Sequence, residues 1–201
     1  MSVRGLGWLM GMVLWPVLAA AGPVTVQVSG AKGQPLADAV LMLEPVGAKA
    51  PVKPAAHAEV GQEGRQFVPL VSVVTVGTPV NFPNRDRVQH HVYSFSPAKK
   101  FEIKLYHGKP SEPIVFDQPG IVVLGCNIHD TMVGWVLVVD TPWHGKTAAS
   151  GQLALGEVPA GSYRLRAWHP DLAPGAPLPE QVVTVGAGPE ALTVRLDAGL
   201  K

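Results

Sequence analysis

Short apolar stretches, separated by turn residues, recur along most of this 201-residue chain. Between residues 24 and 28, valine occupies every second position and polar residues fill the positions between, which is the period of a half-buried strand. Residues 39–43 are apolar throughout, so we predict a strand that is buried on both faces. No stretch shows the period of an amphipathic helix of normal length. The pattern therefore predicts an all-β protein.

The most regular series of apolar stretches runs from residue 67 to residue 143. Short predicted strands alternate there with turns that contain Gly, Pro, Asn or Asp. Their positions are residues 71–76, 80–82, 88–95, 101–105, 114–116, 121–126 and 135–139. Several short strands with turn signals between them are typical of a β-sandwich or a barrel. By contrast, residues 46–57 have no period and are expected to form an exposed connection.

Residues 1–21 have the pattern of a cleavable secretory signal. Arg4 supplies the positive start, residues 6–18 are mostly apolar, and three alanines at 19–21 offer a cleavage site before Gly22. An uncleaved membrane anchor is the alternative, but a span needs ~20 apolar residues and this stretch is shorter. We therefore predict a secreted protein of the bacterial periplasm that keeps no stable membrane span after cleavage.

The charges of the chain nearly cancel, with 16 Lys and Arg against 15 Asp and Glu. Cleavage of the signal would remove Arg4 and leave 15 basic residues against the same 15 acidic ones. No run of basic residues occurs, so we expect no nucleic-acid partner. The chain has a single cysteine, Cys126. In an oxidising compartment that residue has no internal disulfide partner, so it is either buried and inert or held by a metal.

Candidate metal ligands surround this cysteine. The segment reads Cys126-Asn127-Ile128-His129-Asp130-Thr131-Met132, which places a thiolate, an imidazole and a thioether at three-residue intervals. Blue-copper sites combine two His and one Cys in a plane with a weak axial Met. Thiolate disfavours magnesium and calcium, and zinc more often takes Cys or His as its fourth ligand. The alternative is that the cysteine and methionine are ordinary core residues.

A second histidine for this site is sought upstream, where His90 and His91 begin an apolar run. Because successive strand residues point to opposite faces, His90 shares a face with Val88 and Val92. That face is the more apolar one, so we favour His90 as the ligand. His91 is then expected to face solvent or a neighbouring loop. Away from this pair, His57, His107 and His144 are expected to face water, although His144 could instead line the boundary of the copper domain.

The central segment resembles the cupredoxins, and in particular plastocyanin-like periplasmic proteins often labelled methylamine utilization proteins. The resemblance covers roughly residues 60–143 and rests on these motifs: Val80-x-Phe82-x-Asn84-x-Asp86, His90-His91-Val92, Ser94-Phe95-Ser96-Pro97, Phe101-x-Ile103-x-Leu105-Tyr106 and Cys126-Asn127-Ile128-His129-x-x-Met132. It implies a Greek-key β-sandwich that holds one mononuclear copper ion and carries electrons. The ligands it implies are His90, Cys126, His129 and Met132. Cupredoxins usually have Asn where this chain has His91.

The two ends of the chain resemble the two halves of another small β-domain. The motif Val158-Pro159-Ala160-Gly161-x-Tyr163-x-Leu165 resembles the closing half of carboxypeptidase regulatory-like, transthyretin-like domains, and residues 24–43 resemble the opening half. We therefore expect an accessory β-sandwich that is interrupted by the copper domain. The predicted divisions are a signal peptide at 1–21, N-terminal accessory strands and linker at 22–56, the cupredoxin copper domain at 57–143 and the C-terminal accessory part at 144–201.

These observations favour a one-electron carrier. Its implied partner is a redox protein such as a c-type cytochrome or a periplasmic dehydrogenase, docked on a histidine edge framed by Ile128, Met132 and Val133. Copper delivery, storage or sensing is the first alternative, and a β-sandwich interaction module without redox turnover is the second. An enzyme is not expected, because copper oxidases and nitrite reductases need further histidine clusters and the other histidines here are scattered singly.

Overall fold

The computed structural model describes residues 21–196, which form seventeen β-strands and, within that range, no helix. The strands are β1 (Ala21–Gly30), β2 (Val40–Pro45), β3 (Ala58–Glu59), β4 (Gly61–Glu63), β5 (Gln66–Val68), β6 (Val71–Thr75), β7 (Thr78–Asn81), β8 (His90–Ser96), β9 (Lys99–Tyr106), β10 (Ile114–Phe116), β11 (Gly120–Gly125), β12 (Val133–Val139), β13 (Trp143–Lys146), β14 (Gln152–Pro159), β15 (Gly161–Trp168), β16 (Glu180–Val185) and β17 (Glu190–Leu196). The all-β prediction is therefore confirmed for the described residues. The predicted signal peptide lies outside them except for Ala21, and no membrane-spanning helix is found within them.

The central strands form a sandwich. One layer is a five-stranded sheet in the order β6-β12-β11-β8-β9, with β12 parallel to β6 and the other neighbours antiparallel. The other layer contains the sheet β10-β7-β3 and the hairpin β4-β5. Between the layers lies one buried apolar cluster: Val60, Phe67, Val74, Val80, Phe82, Val92, Phe116, Val122, Leu124, Cys126, Met132, Val136 and Val138. The two ends of the predicted cysteine loop, Cys126 and Met132, thus belong to this central core.

The two ends of the chain pair with each other outside the central sandwich. Strand β1 pairs with β14 and β17, and β2 pairs with β13 and β15. The alternating valines of β1 point into a second apolar core, as their period predicts. This core contains Val24, Val26, Val28, Ala39, Leu41, Leu43, Leu155, Val158, Tyr163, Leu165, Ala167, Val185 and Leu196. Residues separated by more than a hundred positions therefore form one packed unit.

A third, smaller cluster joins the outer strands to the central sandwich. Val40, Trp168 and Leu172 from the outer part pack with Val71 and Leu137 of the five-stranded sheet. The ring of Trp168 lies 6.1 Å from that of Trp135, measured between centroids. These contacts cover part of the outer face of β12, whose exposed end at Val133 leads to the cysteine loop.

His144 lies near this junction, and the expectation that it faces water is wrong. It is on β13, opposite Met42 of β2, rather than in a turn. It is partly buried beside a cavity of about 380 Å³ that is also lined by Val71, Ser72 and Lys146. Its Nδ1 atom is buried, and the described residues offer it no hydrogen-bond partner. Burial lowers the pKa of His144, because the charged imidazolium is poorly solvated there.

This burial predicts a loss of stability in mild acid. An unfolded histidine titrates near 6.5, and the folded pKa of His144 is lower. Its contribution to stability is therefore complete above pH ~6.5 and declines as the pH falls below that value. We expect His144→Gln to reduce the drop in unfolding free energy between pH 7 and pH 5, measured by urea denaturation. His57→Gln, on the exposed connection, should keep the wild-type drop. An unchanged drop in His144→Gln would contradict the assignment.

Candidate metal centre

Three of the predicted ligands meet at one end of the central sandwich. The donor atoms of His90, Cys126 and His129 all lie within 4.8 Å of one another. The Cys126 Sγ atom is 3.8 Å from Nδ1 of His90 and 3.6 Å from Nδ1 of His129. His90 and Cys126 are buried, whereas His129 is partly exposed. A thiol and two imidazole nitrogens therefore converge on one point beneath the surface.

The loop between β11 and β12 brings two of these donors together. Gly125 and Val133 are opposite each other at the ends of the two strands, so the loop opens and closes at the same place. Within it, the His129 amide donates to the Cys126 carbonyl at 3.4 Å and the Met132 amide donates to the His129 carbonyl at 2.9 Å. These bonds fold the chain back after every third residue. The short spacing therefore produces the convergence predicted for Cys126 and His129.

A glycine is required immediately before the cysteine. The Tyr93 ring of β8 lies over Gly125, and a Cβ atom at that position would come within 2.7 Å of the ring. Contacts that short essentially never occur, so any larger residue would push the ring or the strand aside. Close packing of β8 on β11 carries His90 toward Cys126, since the two strands pair at Tyr93 and Gly125.

Met132 lies in the central core with Cys126 and is only 1 % exposed. Its position three residues after His129 places it at the end of the loop, directly before β12. The described geometry thus puts the methionine on the buried side of the loop. Its assignment as a ligand is part of the proposal below.

The structure separates the roles of the two adjacent histidines. The His90 side chain is completely buried and faces the cysteine. His91 is 7 % exposed and contacts a strand, so the expectation that it faces solvent or a neighbouring loop is wrong. Its Nε2 atom lies 2.9 Å from a Glu102 carboxylate oxygen on the neighbouring strand β9, and the Tyr93 ring packs beside it. Glu102 of the edge strand β9 therefore covers the His91 side chain, which strand alternation alone predicts to be exposed.

The predicted start of the histidine strand is also wrong. The pattern predicts a strand from residue 88, but β8 begins at His90, and Val88 is 39 % exposed instead of facing the core. The pairing of β8 with β9 is irregular between His90 and Val92. Strand ends of this kind depart from strict alternation. His90 nevertheless points inward, because the loop before it is fixed by hydrogen bonds that the pattern does not show.

Asp86 contacts a candidate metal ligand, a role that the sequence pattern did not predict. Its carboxylate oxygen Oδ2 lies 2.8 Å from Nε2 of His90. Burial by itself raises the pKa of the Asp86 carboxyl, but the Arg65 amide, the His90 imidazole and the Gly64 amide together hold that pKa below its ordinary value. The sequence feature that could have predicted this contact is the position of the Asp86 carboxylate, four residues before His90.

Asn84 organises the loop that presents these residues. Its amide nitrogen donates to the carbonyl oxygens of Val88 and Tyr106 at 2.8 and 2.9 Å, and its side-chain oxygen accepts from the Asp86 amide at 2.9 Å. The Tyr106 hydroxyl in turn donates to the Phe82 carbonyl at 2.6 Å. Burial raises the pKa of Tyr106 to about 12, so the hydroxyl stays protonated and remains a donor.

Asn84→Ala is expected to loosen this loop. The change leaves three backbone groups without their partners, and each lost bond costs about 1 kcal/mol, so unfolding free energy should fall by about 2–3 kcal/mol. Denaturant unfolding measures the loss. Asn127→Ala is the matched control, since Asn127 is exposed and surface substitutions usually stay within about 0.5 kcal/mol of the wild type. Equal stability of the two variants would contradict the structural role of Asn84.

Comparison with known proteins gives partial structural similarity. No protein-family model matches the chain, and no curated protein sequence matches it. A purple cupredoxin from Nitrosopumilus maritimus is similar at 26 % identity over 41 % of this chain and 99 % of its own, with a TM-score of 0.37. The copper-containing nitrite reductase of Thermus scotoductus SA-01 is similar at 27 % identity over 56 % of this chain and 28 % of its own, with a TM-score of 0.39.

A reduced amicyanin variant is similar at 20 % identity over 51 % of this chain and 99 % of its own, with a TM-score of 0.36. Each of these three similarities involves about half of this chain. The chemistry proposed for the candidate site is therefore argued from its own donor atoms and not from these similarities.

Proposed function

We propose that this protein binds one copper ion, which His90, Cys126, His129 and Met132 would hold, and that it carries single electrons in the bacterial periplasm. The observation that carries the proposal is the convergence of one thiol and two imidazole nitrogens within 4.8 Å. A soft thiolate together with imidazole favours copper or zinc over magnesium or calcium. The buried methionine at the end of the same loop favours copper, because structural zinc sites close with Cys or His.

The separations of the donor atoms fit a single small metal ion. Metal–sulfur bonds of about 2.3 Å and metal–nitrogen bonds of about 2.05 Å place sulfur and nitrogen about 3.6–3.8 Å apart at tetrahedral or trigonal angles. The Cys126 Sγ atom lies 3.8 and 3.6 Å from the two imidazole Nδ1 atoms. The sulfur of Cys126 therefore needs little rearrangement to share an ion with either imidazole.

Fixed donors are what a one-electron carrier requires. When bound, copper supplies a couple between Cu(II) and Cu(I). Cys126 directly follows β11, and the buried His90 is held by one hydrogen bond, to Asp86, on the side away from the cysteine. Because the fold sets both positions, Cys126 and His90 would hold a bound copper ion with little rearrangement between the two oxidation states. Such an arrangement would keep the barrier to electron exchange low.

The accessible side of the site supports electron exchange with a protein partner. His129 is partly exposed, and next to it Ile128 and Val133 are 47 % and 36 % exposed. Met132 is buried and does not belong to this surface. A small apolar surface around one ligand suits a weak and brief encounter. The proposed partner is a redox protein such as a c-type cytochrome or a periplasmic dehydrogenase.

Within residues 21–196, His90, Cys126 and His129 are the single group of three or more His, Cys, Asp or Glu residues close enough to hold a metal. A second metal site of the kind that copper enzymes use would need such a group. We therefore propose a carrier rather than an enzyme.

A retention experiment distinguishes an electron carrier from a copper-delivery protein. The copper-loaded protein is reduced with ascorbate and reoxidised with ferricyanide in the presence of a Cu(I) chelator. An electron carrier should retain its copper and recover its spectrum over repeated cycles. Transfer of the metal to the chelator on first reduction would favour delivery and would contradict the carrier proposal.

A further inference from the structure

The hairpin β4-β5 forms a cradle for one carboxylate. The amide of Gly64 donates to Oδ1 of Asp86 at 2.8 Å, and the amide of Arg65 donates to Oδ2 at 2.9 Å. Both turn residues have left-handed backbone angles, with φ of 61° and 59°. A two-residue hairpin turn with two positive φ values matches the twist of its strands. The amide groups of this turn are thereby aimed at Asp86 from about twenty residues upstream.

The other side of the same carboxylate faces His90. Oδ2 of Asp86 lies 2.8 Å from Nε2 of His90, while Nδ1 of the same ring faces the Cys126 sulfur. The imidazole ring therefore lies between the carboxylate and the candidate metal position. Among the described residues, His90 is the one ionic partner of Asp86, since Arg85 pairs with Glu59 instead.

The hydrogen-bond inventory determines which nitrogen of His90 carries the proton. Oδ2 already accepts from the Arg65 amide, and a carboxylate can only accept when ionised. The His90 Nε2 atom is therefore the donor to Oδ2, and the same ring presents its Nδ1 atom to the Cys126 sulfur. Three N–H groups then converge on two oxygens. A carboxylate can accept all three, whereas the amide of asparagine places an NH₂ group against at least one of them.

We propose that Asp86 is a positioning residue that fixes the proton of His90 on Nε2 and, through its negative charge, favours the Cu(II) form of the site. The first part concerns the protein without metal, and the second rests on the proposed copper function. A carboxylate hydrogen-bonded to a ligand histidine fixes its orientation and raises its basicity. A more basic imidazole binds Cu(II) better relative to Cu(I), so Asp86 keeps the reduction potential low.

The test compares the wild-type protein with Asp86→Asn and with Asp117→Asn. Asp117 is the matched control, because its carboxylate pairs with Lys99 at 2.9 Å and lies before β11, at the opposite end of that strand from Cys126. Nitrogen-15 NMR of the metal-free protein identifies the protonated nitrogen of His90. The affinities for Cu(II) and Cu(I), or the reduction potential of the copper-loaded protein, then measure how strongly the site favours Cu(II). Circular dichroism verifies that each variant folds.

The wild-type and Asp117→Asn proteins should both show a proton on Nε2 of His90. Loss of a hydrogen-bond partner of a ligand costs about 10-fold or more in affinity. We expect the ratio of Cu(II) to Cu(I) affinity to fall about 10-fold in Asp86→Asn, which corresponds to a rise of about 59 mV for one electron. A wild-type His90 without a proton on Nε2 overturns the positioning role whether or not copper binds. An Asp86→Asn ratio equal to that of Asp117→Asn overturns the role of the charge.

Failure of the copper proposal has a different signature. If copper does not bind to the wild-type protein, the NMR result still decides which nitrogen of His90 carries the proton. The two proposals therefore fail separately. If Asp86→Asn does not fold, the metal-free wild-type spectrum still tests the positioning role, because a His90 without a proton on Nε2 would overturn it.

Discussion

Cys126→Ser is expected to remove the intense thiolate-to-copper absorption completely and to weaken Cu(I) binding more than any other single change. The sulfur lies within 3.8 Å of both imidazole nitrogens and is the one thiol of the chain, so no other residue supplies a replacement. A serine hydroxyl is neutral at pH 7 and is a poor ligand for a soft ion. Loss of an outer hydrogen-bond partner costs about 10–100-fold in affinity, and loss of the ligand itself should cost more.

Metal titrations followed by visible absorption, with a competing Cu(I) chelator, measure this effect. Met42→Leu is the control, because Met42 is a buried sulfur residue of β2 that lies outside the metal-binding group. It should leave the spectrum and the affinity unchanged. An absorption band of wild-type intensity in Cys126→Ser would show that the thiolate does not bind the metal.

Leu165→Ala is expected to destabilise the outer β-strands by about 3 kcal/mol, within the range of about 2–5 kcal/mol for buried Leu→Ala changes. Leu165 is 1 % exposed and lies opposite Leu43 of β2 in the second apolar core. We propose that the segments 22–56 and 144–201 form one cooperative unit and that residues 57–143 form another. The cavity left by the missing side chain should then weaken all the outer strands together.

Native-state hydrogen exchange distinguishes this proposal from a single cooperative unit. Amides of β1, β2 and β15 should lose protection by the same free energy, whereas those of β8 and β11 should keep theirs. Val182→Ala, at a 70 % exposed position of β16, should change neither group. Equal loss of protection in β11 would show that the chain unfolds as one unit and would contradict the division.

The sequence pattern correctly predicted the strands that have a clear apolar period of their own. The alternating valines of β1 and the continuous apolar run before Pro45 lie where their periods place them. The cysteine loop was visible because a single cysteine shares it with a histidine and a methionine at regular spacing. Two turn hydrogen bonds within the loop are enough to bring Cys126 and His129 together. Such features depend on neighbours a few residues away.

Features that depend on distant partners were missed or misassigned. Asp86 is oriented by amides more than twenty residues upstream, in a hairpin that has no apolar period of its own. His91 is buried because the edge strand β9 and Glu102 cover it. His144 is partly buried because β13 pairs with β2, about a hundred residues earlier in the chain. The pattern along a chain gives the faces of a strand, but pairing decides which faces are covered.

The most direct test of the copper proposal is a Cu(II) titration of the metal-free protein, followed by visible absorption and electron paramagnetic resonance. A mononuclear copper site with a cysteine ligand should give an intense sulfur-to-copper band that saturates at one equivalent of Cu(II) and is bleached reversibly by ascorbate. Saturation without that band, or no binding at one equivalent, would contradict a mononuclear site formed by His90, Cys126 and His129.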